Sequence, residues 1–148
     1  MVDVREQPRV VLIFGDTQQG KSYLADLLHL NHYYCRIRLD EVYLDFVKKA
    51  RYPEYDRPDL HELIKDHYHK ILEPIPGAAE AWQDRVASIT EGFCRDRNLI
   101  AVEGYLLRPA LDAVKKRLAG RATVTIVEVR SRQYFIAGSV ASIGQILG

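Results

Sequence analysis

One octapeptide near the amino terminus constrains the fold more than any other part of the sequence. It reads Gly15-Asp16-Thr17-Gln18-Gln19-Gly20-Lys21-Ser22 and fits the pattern G-x-x-x-x-G-K-[ST] at every fixed position. A nearly continuous apolar run, residues 9–14, precedes it, and leucines at helical spacing follow it. A buried strand before the pattern and a helix after it are the context that the pattern requires. The octapeptide therefore predicts a strand, a tight loop lined by backbone amides, and a helix.

The residue types of this octapeptide suit a polyphosphate. Gly15 and Gly20 permit backbone angles and a close approach that a β-carbon would block. Successive amide N–H groups can point at phosphate oxygens, and the positive end of the following helix adds to the attraction. Lys21 places a charge near the β- and γ-phosphates, and the Ser22 hydroxyl can ligate Mg²⁺. We therefore predict that this phosphate loop (residues 15–22) binds ATP, or another nucleoside triphosphate, with Mg²⁺. The predicted contacts are Gly15, Asp16, Thr17, Gln18, Gln19, Gly20, Lys21, Ser22 and Tyr23.

Strand and helix patterns alternate along the rest of the chain. Further strands are expected at residues 33–39, 99–102 and 122–129, with helical patterns between them. This order predicts an α/β protein with three layers, α/β/α, in which helices cover a mostly parallel sheet of four or five strands, as in P-loop NTPases. The pattern of residues 131–148 fits an apolar helix, a final strand or a partly ordered tail, and it does not decide among them.

The bulk properties narrow the class of protein. A chain of 148 residues fits one domain, here a nucleotide-binding domain over 1–148 with a helical insert at about 41–97. The 21 basic and 20 acidic residues nearly cancel, which argues against binding nucleic acid through a broad basic field. No apolar run approaches the roughly 18–20 residues of a membrane span, and the first residues lack the basic stretch of a signal peptide. Cys35 and Cys94 have no metal-ligand spacing, so we expect reduced thiols in a cytoplasmic protein.

A second acidic position follows from the third strand pattern. Glu103 ends this strand and precedes Gly104. In P-loop proteins an acid at this place holds the water shell of the magnesium ion or polarises an attacking group. An acidic residue without a function at the end of a strand would give the same pattern. The magnesium role of Glu103 is therefore predicted only because the phosphate loop is present in the sequence. On that basis we predict that Ser22 and Glu103 serve the magnesium site.

Several segments, taken in order, resemble the uridine kinase and phosphoribulokinase family of P-loop kinases. Residues 39–43 (LDEVY) are similar to that family's Asp-x-Phe-Tyr segment, and residues 55–60 (YDRPDL) to its Phe-Asp-His-Pro-Asp-Ala stretch. Residues 102–107 (VEGYLL) are similar to its strand ending in Glu-Gly. With the phosphate loop, the resemblance covers about residues 9–107. It implies a kinase that transfers a phosphoryl group from ATP to a hydroxyl of a nucleoside-like or sugar-like small molecule.

The resemblance also implies roles for individual residues. Asp40 would take the proton from the acceptor hydroxyl, while magnesium and Lys21 stabilise the departing charge. Tyr43, Tyr55 and Asp56 would help to line the acceptor pocket. Asp is also among the best N-cap residues of a helix, and both roles stay open for Asp40.

The chain departs from that family after the fourth strand, where an arginine-rich lid usually follows. Only Arg130 and Arg132 occupy this place. Either arginine could clamp the transferred phosphate. We predict that Arg130 is the catalytic one. The alternative is that it contacts solvent, as an arginine just past a strand more often does. The sparse lid leaves two other interpretations open. One is a nucleotide-binding switch or accessory module that engages a partner protein, and the other is a simple nucleoside triphosphatase.

Overall fold

The computed structural model describes residues 7–15, 20–49 and 78–148. Before the longer gap, the elements are β1 (Arg9–Phe14), α1 (Lys21–His32), β2 (Cys35–Arg38) and α2 (Leu39–Lys49). After it come α3 (Ala78–Asp96), β3 (Leu99–Glu103), a 3-10 helix (Tyr105–Ala110), α4 (Leu111–Leu118), β4 (Thr123–Arg130), β5 (Gln133–Ile136), β6 (Ser139–Ala141) and α5 (Ile143–Leu147). The alternation of strands and helices that the sequence predicts is present in these residues.

The strands form one sheet with β1 near its centre. The strand order is β2-β3-β1-β4-β5-β6. β1 runs parallel to β3 and β4, and β2 runs parallel to β3, whereas β5 and β6 pair antiparallel. The carboxyl ends of the four parallel strands therefore meet at one edge of the sheet. In open α/β sheets, ligands bind outside this edge, and β1 brings the phosphate loop to its middle.

Helices cover both faces of the sheet. Side chains of a strand alternate between the two faces, so an uninterrupted apolar strand is buried on both. Val10 and Leu12 of β1 pack with residues of α2, α3, the 3-10 helix and α4. Val11 and Ile13 pack on the other face with residues of α1 and α5. The predicted α/β class, with helices on both faces of a mostly parallel sheet, is confirmed.

The number of strands differs from the prediction. The described residues contain six strands, where the sequence predicts four or five, and the added strands lie in residues 131–148. Two-residue turns, Ser131-Arg132 and Ala137-Gly138, join β4 to β5 and β5 to β6, and all four turn residues have positive φ. Hairpin turns of type I′ need positive φ at both central residues and are usually signalled by Asn-Gly or Asp-Gly. Neither turn has such a pair, and the hairpins therefore could not be recognised from the sequence.

The predicted helical insert is described only at its two ends. α2 and α3 form these ends, while residues 50–77 lie outside the described part of the chain. α2 begins at Leu39, which the sequence pattern places at the end of the second strand. Among the helices that the structure describes, none is both long and apolar enough to cross a membrane.

A close contact determines where the chain leaves β1 to enter the phosphate loop. Gly15 has a φ of +149°, and a Cβ at this position would lie 2.4 Å from the carbonyl oxygen of Val129 in β4. Real side chains cannot occupy such a space, and this backbone conformation also favours glycine. The first glycine of the octapeptide is therefore explained by the packing of β1 against β4.

We expect Gly15→Ala to lower the free energy of unfolding by about 2–4 kcal/mol, because the backbone of β4 must shift and the strained φ remains. Urea denaturation followed by circular dichroism measures this loss. Gly92→Ala is the control, since a Cβ there meets nothing within 4 Å. Within a helix this change should leave stability the same or raise it by about 0.5–1 kcal/mol. Equal stability of both variants would contradict the contact at Gly15.

Candidate active site

The structure places the two ends of the phosphate loop at the junction of β1 and α1. Gly15 is buried directly after β1, and Gly20, with a φ of +103°, directly precedes α1. The Lys21 Nζ atom donates a hydrogen bond to the Gly15 carbonyl oxygen at 2.6 Å, which ties the two ends together. Residues 16–19 lie outside the described part of the chain, so the predicted contacts of Asp16, Thr17, Gln18 and Gln19 stay predictions.

A cavity of about 380 Å³ lies on the β2–β3 side of the phosphate loop. Three predicted site residues meet there, because α1 contributes Ser22, the start of α2 contributes Asp40, and β3 ends in Glu103. These elements converge because β2 and β3 are parallel neighbours with their carboxyl ends at the same edge. We name this space the acidic cavity. The described residues that line it are Ser22, Asp26, Arg36, Arg38, Asp40, Glu41 and Glu103.

Glycine at position 104 permits the two acidic elements of this cavity to approach each other. Gly104 has a φ of +157°, and a Cβ on it would lie 2.8 Å from the Leu39 Cβ atom. Any larger residue would push the start of α2 away from the end of β3. The Glu-Gly pair at the end of β3 therefore has a packing reason, and it keeps Asp40 on the same side of the site as Glu103.

Arg36 of β2 is a site residue that the sequence analysis missed. Its guanidinium donates from Nε (3.2 Å) and Nη2 (2.5 Å) to Oε1 of Glu103, and its Nη1 also pairs with Asp26 of α1. The side chains of Arg36 and Glu103 are 8% and 9% exposed, so this is a largely buried ion pair. Burial lowers the pKa of Arg36, but the hydrogen bonds and charges of Glu103 and Asp26 outweigh it and leave the pKa raised.

A signal for Arg36 was present in the sequence. Alternate residues of a strand share a face, so Arg36 and Arg38 lie together, opposite the apolar Ile37. A buried acid such as Glu103 also needs a cationic or hydrogen-bonding partner. The sequence does not say which strand supplies the partner of Glu103. The pairing of β2 with β3, in which Arg38 is opposite Glu103, shows that it is β2.

The other predicted acceptor-side residues have different positions. Asp40 is exposed and is the second residue of α2, so it lies inside the first helical turn. Asp40 is therefore not the N-cap residue, which precedes a helix. Its carboxylate in the first turn is stabilised by the helix dipole. Tyr43 is 1% exposed and packs edge-on against Trp82 with ring centroids 5.1 Å apart, so it belongs to the hydrophobic core. Tyr55 and Asp56 lie outside the described residues.

A second cavity, of about 790 Å³, lies on the β4–β5 side of the phosphate loop. We name it the hairpin cavity, since the hairpin formed by β4 and β5 supplies one wall and the start of α1 supplies the other. Its lining residues are Gly20, Lys21, Ser22, Tyr23, Arg132 and Tyr134. The predicted nucleotide contact Tyr23 is thus placed here, and Ser22 lines both cavities.

Arg130 ends β4 and Arg132 follows it, and their side chains have different surroundings. Arg132 lines the hairpin cavity, and its Cγ atom is 3.5 Å from the position that a Cβ on Gly20 would take. Arg130, the predicted catalytic arginine, pairs with Glu128 through Nε at 3.2 Å and lies over the Phe135 ring at 4.0 Å from its centroid. The structure therefore brings Arg132, and not Arg130, to the described end of the phosphate loop.

We expect Arg36→Leu to lower the free energy of unfolding by roughly 3 kcal/mol, because Glu103 would remain buried without its cation. Arg38→Leu is the matched control on the same strand face. Arg38 is 54% exposed and only 4.0 Å from Glu41, so its loss should cost about 0.5 kcal/mol or less. Urea unfolding of the two variants measures the difference. Similar losses in both would show that the buried Arg36–Glu103 pair adds no more stability than the exposed Arg38 does.

Comparison with known proteins does not assign the chain to a family. No protein-family model matches it, and no curated protein matches it either. Among solved structures, a hexameric APS kinase from Thiobacillus denitrificans is similar at 15% sequence identity with a TM-score of 0.47. The match covers 82% of this chain and 22% of that chain, so this chain spans less than a quarter of that kinase. None of these comparisons identifies the uridine kinase and phosphoribulokinase family, and a functional assignment rests on the residues of the site.

Proposed function

We propose that this protein is a small-molecule P-loop kinase, a phosphotransferase that moves a phosphoryl group from Mg·ATP to a hydroxyl of a small metabolite. One observation carries the proposal. The acidic cavity brings Ser22 of the phosphate-loop helix together with Asp40 and Glu103. A phosphate-binding loop beside two carboxylates supplies the parts that phosphoryl transfer to an alcohol needs: charge stabilisation and a base.

The donor set fits magnesium held together with a nucleotide. Mg²⁺ prefers oxygen ligands and is usually bound through one or two protein groups plus substrate phosphates and water. Ser22 offers a hydroxyl and Glu103 a carboxylate, while no cluster of three or more His, Cys, Asp or Glu side chains suited to a metal occurs in the described residues. Such a site would bind the ion together with the triphosphate. The ion would neutralise charge on the phosphates.

The chain's own residues would divide the remaining work. Lys21 would place its ammonium against the β- and γ-phosphates, which requires it to exchange its present hydrogen bond to Gly15 for one to a phosphate oxygen. Asp40, exposed at the cavity, would accept the proton of the acceptor hydroxyl. Arg36 would hold the Glu103 carboxylate in place through its two hydrogen bonds to Oε1.

The charge of the acidic cavity supports a neutral acceptor. The described residues of its lining hold four carboxylates and two guanidinium groups, an excess of two negative charges. An anionic acceptor would be repelled there, whereas a nucleoside-like or sugar-like molecule offers uncharged hydroxyls that hydrogen bond to carboxylates. The volume of about 380 Å³ lies within the range of roughly 300–1,000 Å³ that small-molecule sites occupy.

A second candidate function is supported by the C-terminal segment. After β4 the chain continues as an antiparallel extension of the sheet, and Arg132, the one arginine in residues 131–148, lines the hairpin cavity. A nucleotide-binding switch or accessory module needs no lid over the phosphates, and a nucleoside triphosphatase needs no acceptor. Both alternative functions use nucleotide binding at the phosphate loop, and neither includes transfer of a phosphoryl group to a hydroxyl.

The kinase proposal predicts ADP release that depends on an acceptor. The purified full chain is incubated with ATP, Mg²⁺ and a pooled panel of nucleosides, sugars and vitamins, and ADP is measured with and without the pool. We expect Asp40→Asn to lower the acceptor-dependent rate by about 10²–10⁴-fold, since it removes the base and preserves shape. Lys21→Ala should abolish the rate. Asp112→Asn, an exposed change in α4, is the control and should leave it unaltered.

Two results would favour other functions, and a third would change the mechanism. Equal ADP release without the pool indicates a triphosphatase. ATP that raises the melting temperature with no release of ADP indicates an accessory module. A full acceptor-dependent rate in Asp40→Asn would remove Asp40 from the mechanism, even if the chain is a kinase.

A further inference from the structure

The two cavities share Ser22 but otherwise have different lining residues, and their chemistry differs. The acidic cavity, toward β2 and β3, collects carboxylates, whereas the described residues that line the hairpin cavity, toward β4 and β5, include no carboxylate. Instead it combines two phenol rings, Tyr23 and Tyr134, with the cations of Lys21 and Arg132. Aromatic rings beside cations are typical of surfaces on which nucleobases stack and phosphates bind.

Ser22 sets the direction of a nucleotide across the loop. It lines both cavities, so a triphosphate bound at the start of α1 has one end toward each of them. If transfer takes place beside Asp40, the terminal phosphate lies toward the acidic cavity. The nucleoside at the other end of the same chain of phosphates then extends toward the hairpin cavity, whose volume of about 790 Å³ is large enough for a base and a ribose.

The turn of the β4–β5 hairpin holds a strained conformation at this cavity. Ser131 and Arg132 have φ angles of +47° and +61°, in a turn whose favoured residues are Asn and Gly. Neither a serine nor an arginine adopts positive φ without cost, and such outliers concentrate at functional sites. The conformation places the Arg132 side chain against Gly20. No carboxylate of the described residues forms an ion pair with Arg132, in contrast to Arg130, which pairs with Glu128.

Tyr134 has the support that a stacking surface requires. It pairs with Val129 of β4 on one side and with Ala141 of β6 on the other, so its backbone is held within the sheet. Its ring packs against the buried cluster that contains Val129 and Ile146. Burial raises the pKa of the Tyr134 hydroxyl, and the nearby Tyr23 raises it further, so the phenol is neutral at physiological pH. Tyr23 itself is 68% exposed.

We propose that the hairpin cavity binds the nucleoside half of the nucleotide, with the base against Tyr134 and Tyr23 and with Arg132 on the phosphates nearest the ribose. This inference rests on the proposed function, because it assumes that the phosphate loop holds a triphosphate. It assigns the nucleoside contacts to the antiparallel hairpin, a part of the chain in which the sequence showed no motif.

The test compares two ligands that share a triphosphate but differ in the nucleoside. Calorimetry measures the binding of Mg·ATP and of Mg·tripolyphosphate to the full chain and its variants. Loss of the stacking of one base on an aromatic ring costs about 1–3 kcal/mol of binding free energy. Tyr134→Ala should therefore lower the affinity for Mg·ATP by roughly 10- to 100-fold and change the affinity for Mg·tripolyphosphate by no more than about twofold. Tyr134→Phe should bind both ligands like the unaltered chain. Arg132→Ala should weaken both.

Two further variants test whether a loss of affinity in Tyr134→Ala comes from the missing ring or from loss of the folded structure. Phe135→Ala removes the neighbouring ring on the opposite face of β5 and should leave both affinities unaltered. Tyr23→Ala changes an exposed side chain of α1, so folding is not at risk, and it should also weaken Mg·ATP selectively. Retained binding of tripolyphosphate shows in each variant that the phosphate loop is intact.

The outcomes separate this inference from the function on which it rests. If the unaltered chain binds Mg·ATP and Mg·tripolyphosphate equally well, or if Tyr134→Ala and Tyr23→Ala weaken both alike, the nucleoside does not bind in the hairpin cavity, although the phosphate loop retains its role. If the unaltered chain binds neither ligand, the proposed function fails and the inference fails with it.

Discussion

The site depends first on the parallel pairing of β1 with β3 and β4. This pairing places the ends of the three strands at one edge, with the phosphate loop between the acid of β3 and the hairpin of β4. It also brings the Val129 carbonyl so close to Gly15 that only glycine fits. Backbone hydrogen bonds of a sheet buried on both faces are well protected from water, and a loop attached to such a strand has a rigid base.

Around this centre the structure separates two kinds of chemistry. On one side, Arg36 neutralises the buried Glu103 and links β2, β3 and α1 through its second partner, Asp26. On the other side, a strained turn presents Arg132 to the start of α1. Buried charges are tolerated only when they are paired, and strained turns persist only when the surroundings hold them. Each feature has an energetic cost, and each lines a cavity that Ser22 also lines.

The sequence predicted the parts of this molecule that local chemistry determines. The octapeptide identified the loop, the apolar run identified β1 as a doubly buried strand, and Glu103 was recognised as an acid at a strand end. Asp40 was also identified, although by resemblance, and it does line the acidic cavity with Ser22 and Glu103. The strand positions of β1 and of Glu103 agree with the sequence because a strand leaves a trace in consecutive residues, whereas the functional roles of the octapeptide, Glu103 and Asp40 stay predictions. Tyr43 was assigned to a pocket by resemblance but packs in the core, and the spacing of Leu39, Tyr43 and Phe46 at i, i+4 and i+7 marks the face of α2 that is buried.

The sequence by itself therefore determined the α/β class and the acid at the end of β3, and it predicts the phosphate loop, because each depends on residues that are close along the chain. The tertiary structure alone decided that Arg36 pairs with Glu103, which lies 67 positions away, and that residues 131–148 extend the sheet antiparallel. It also decided that Arg132, and not Arg130, reaches the phosphate loop. The physical reason is the same in each case: strand pairing and the hand of a turn select partners across space, and no local pattern of residue types encodes that selection.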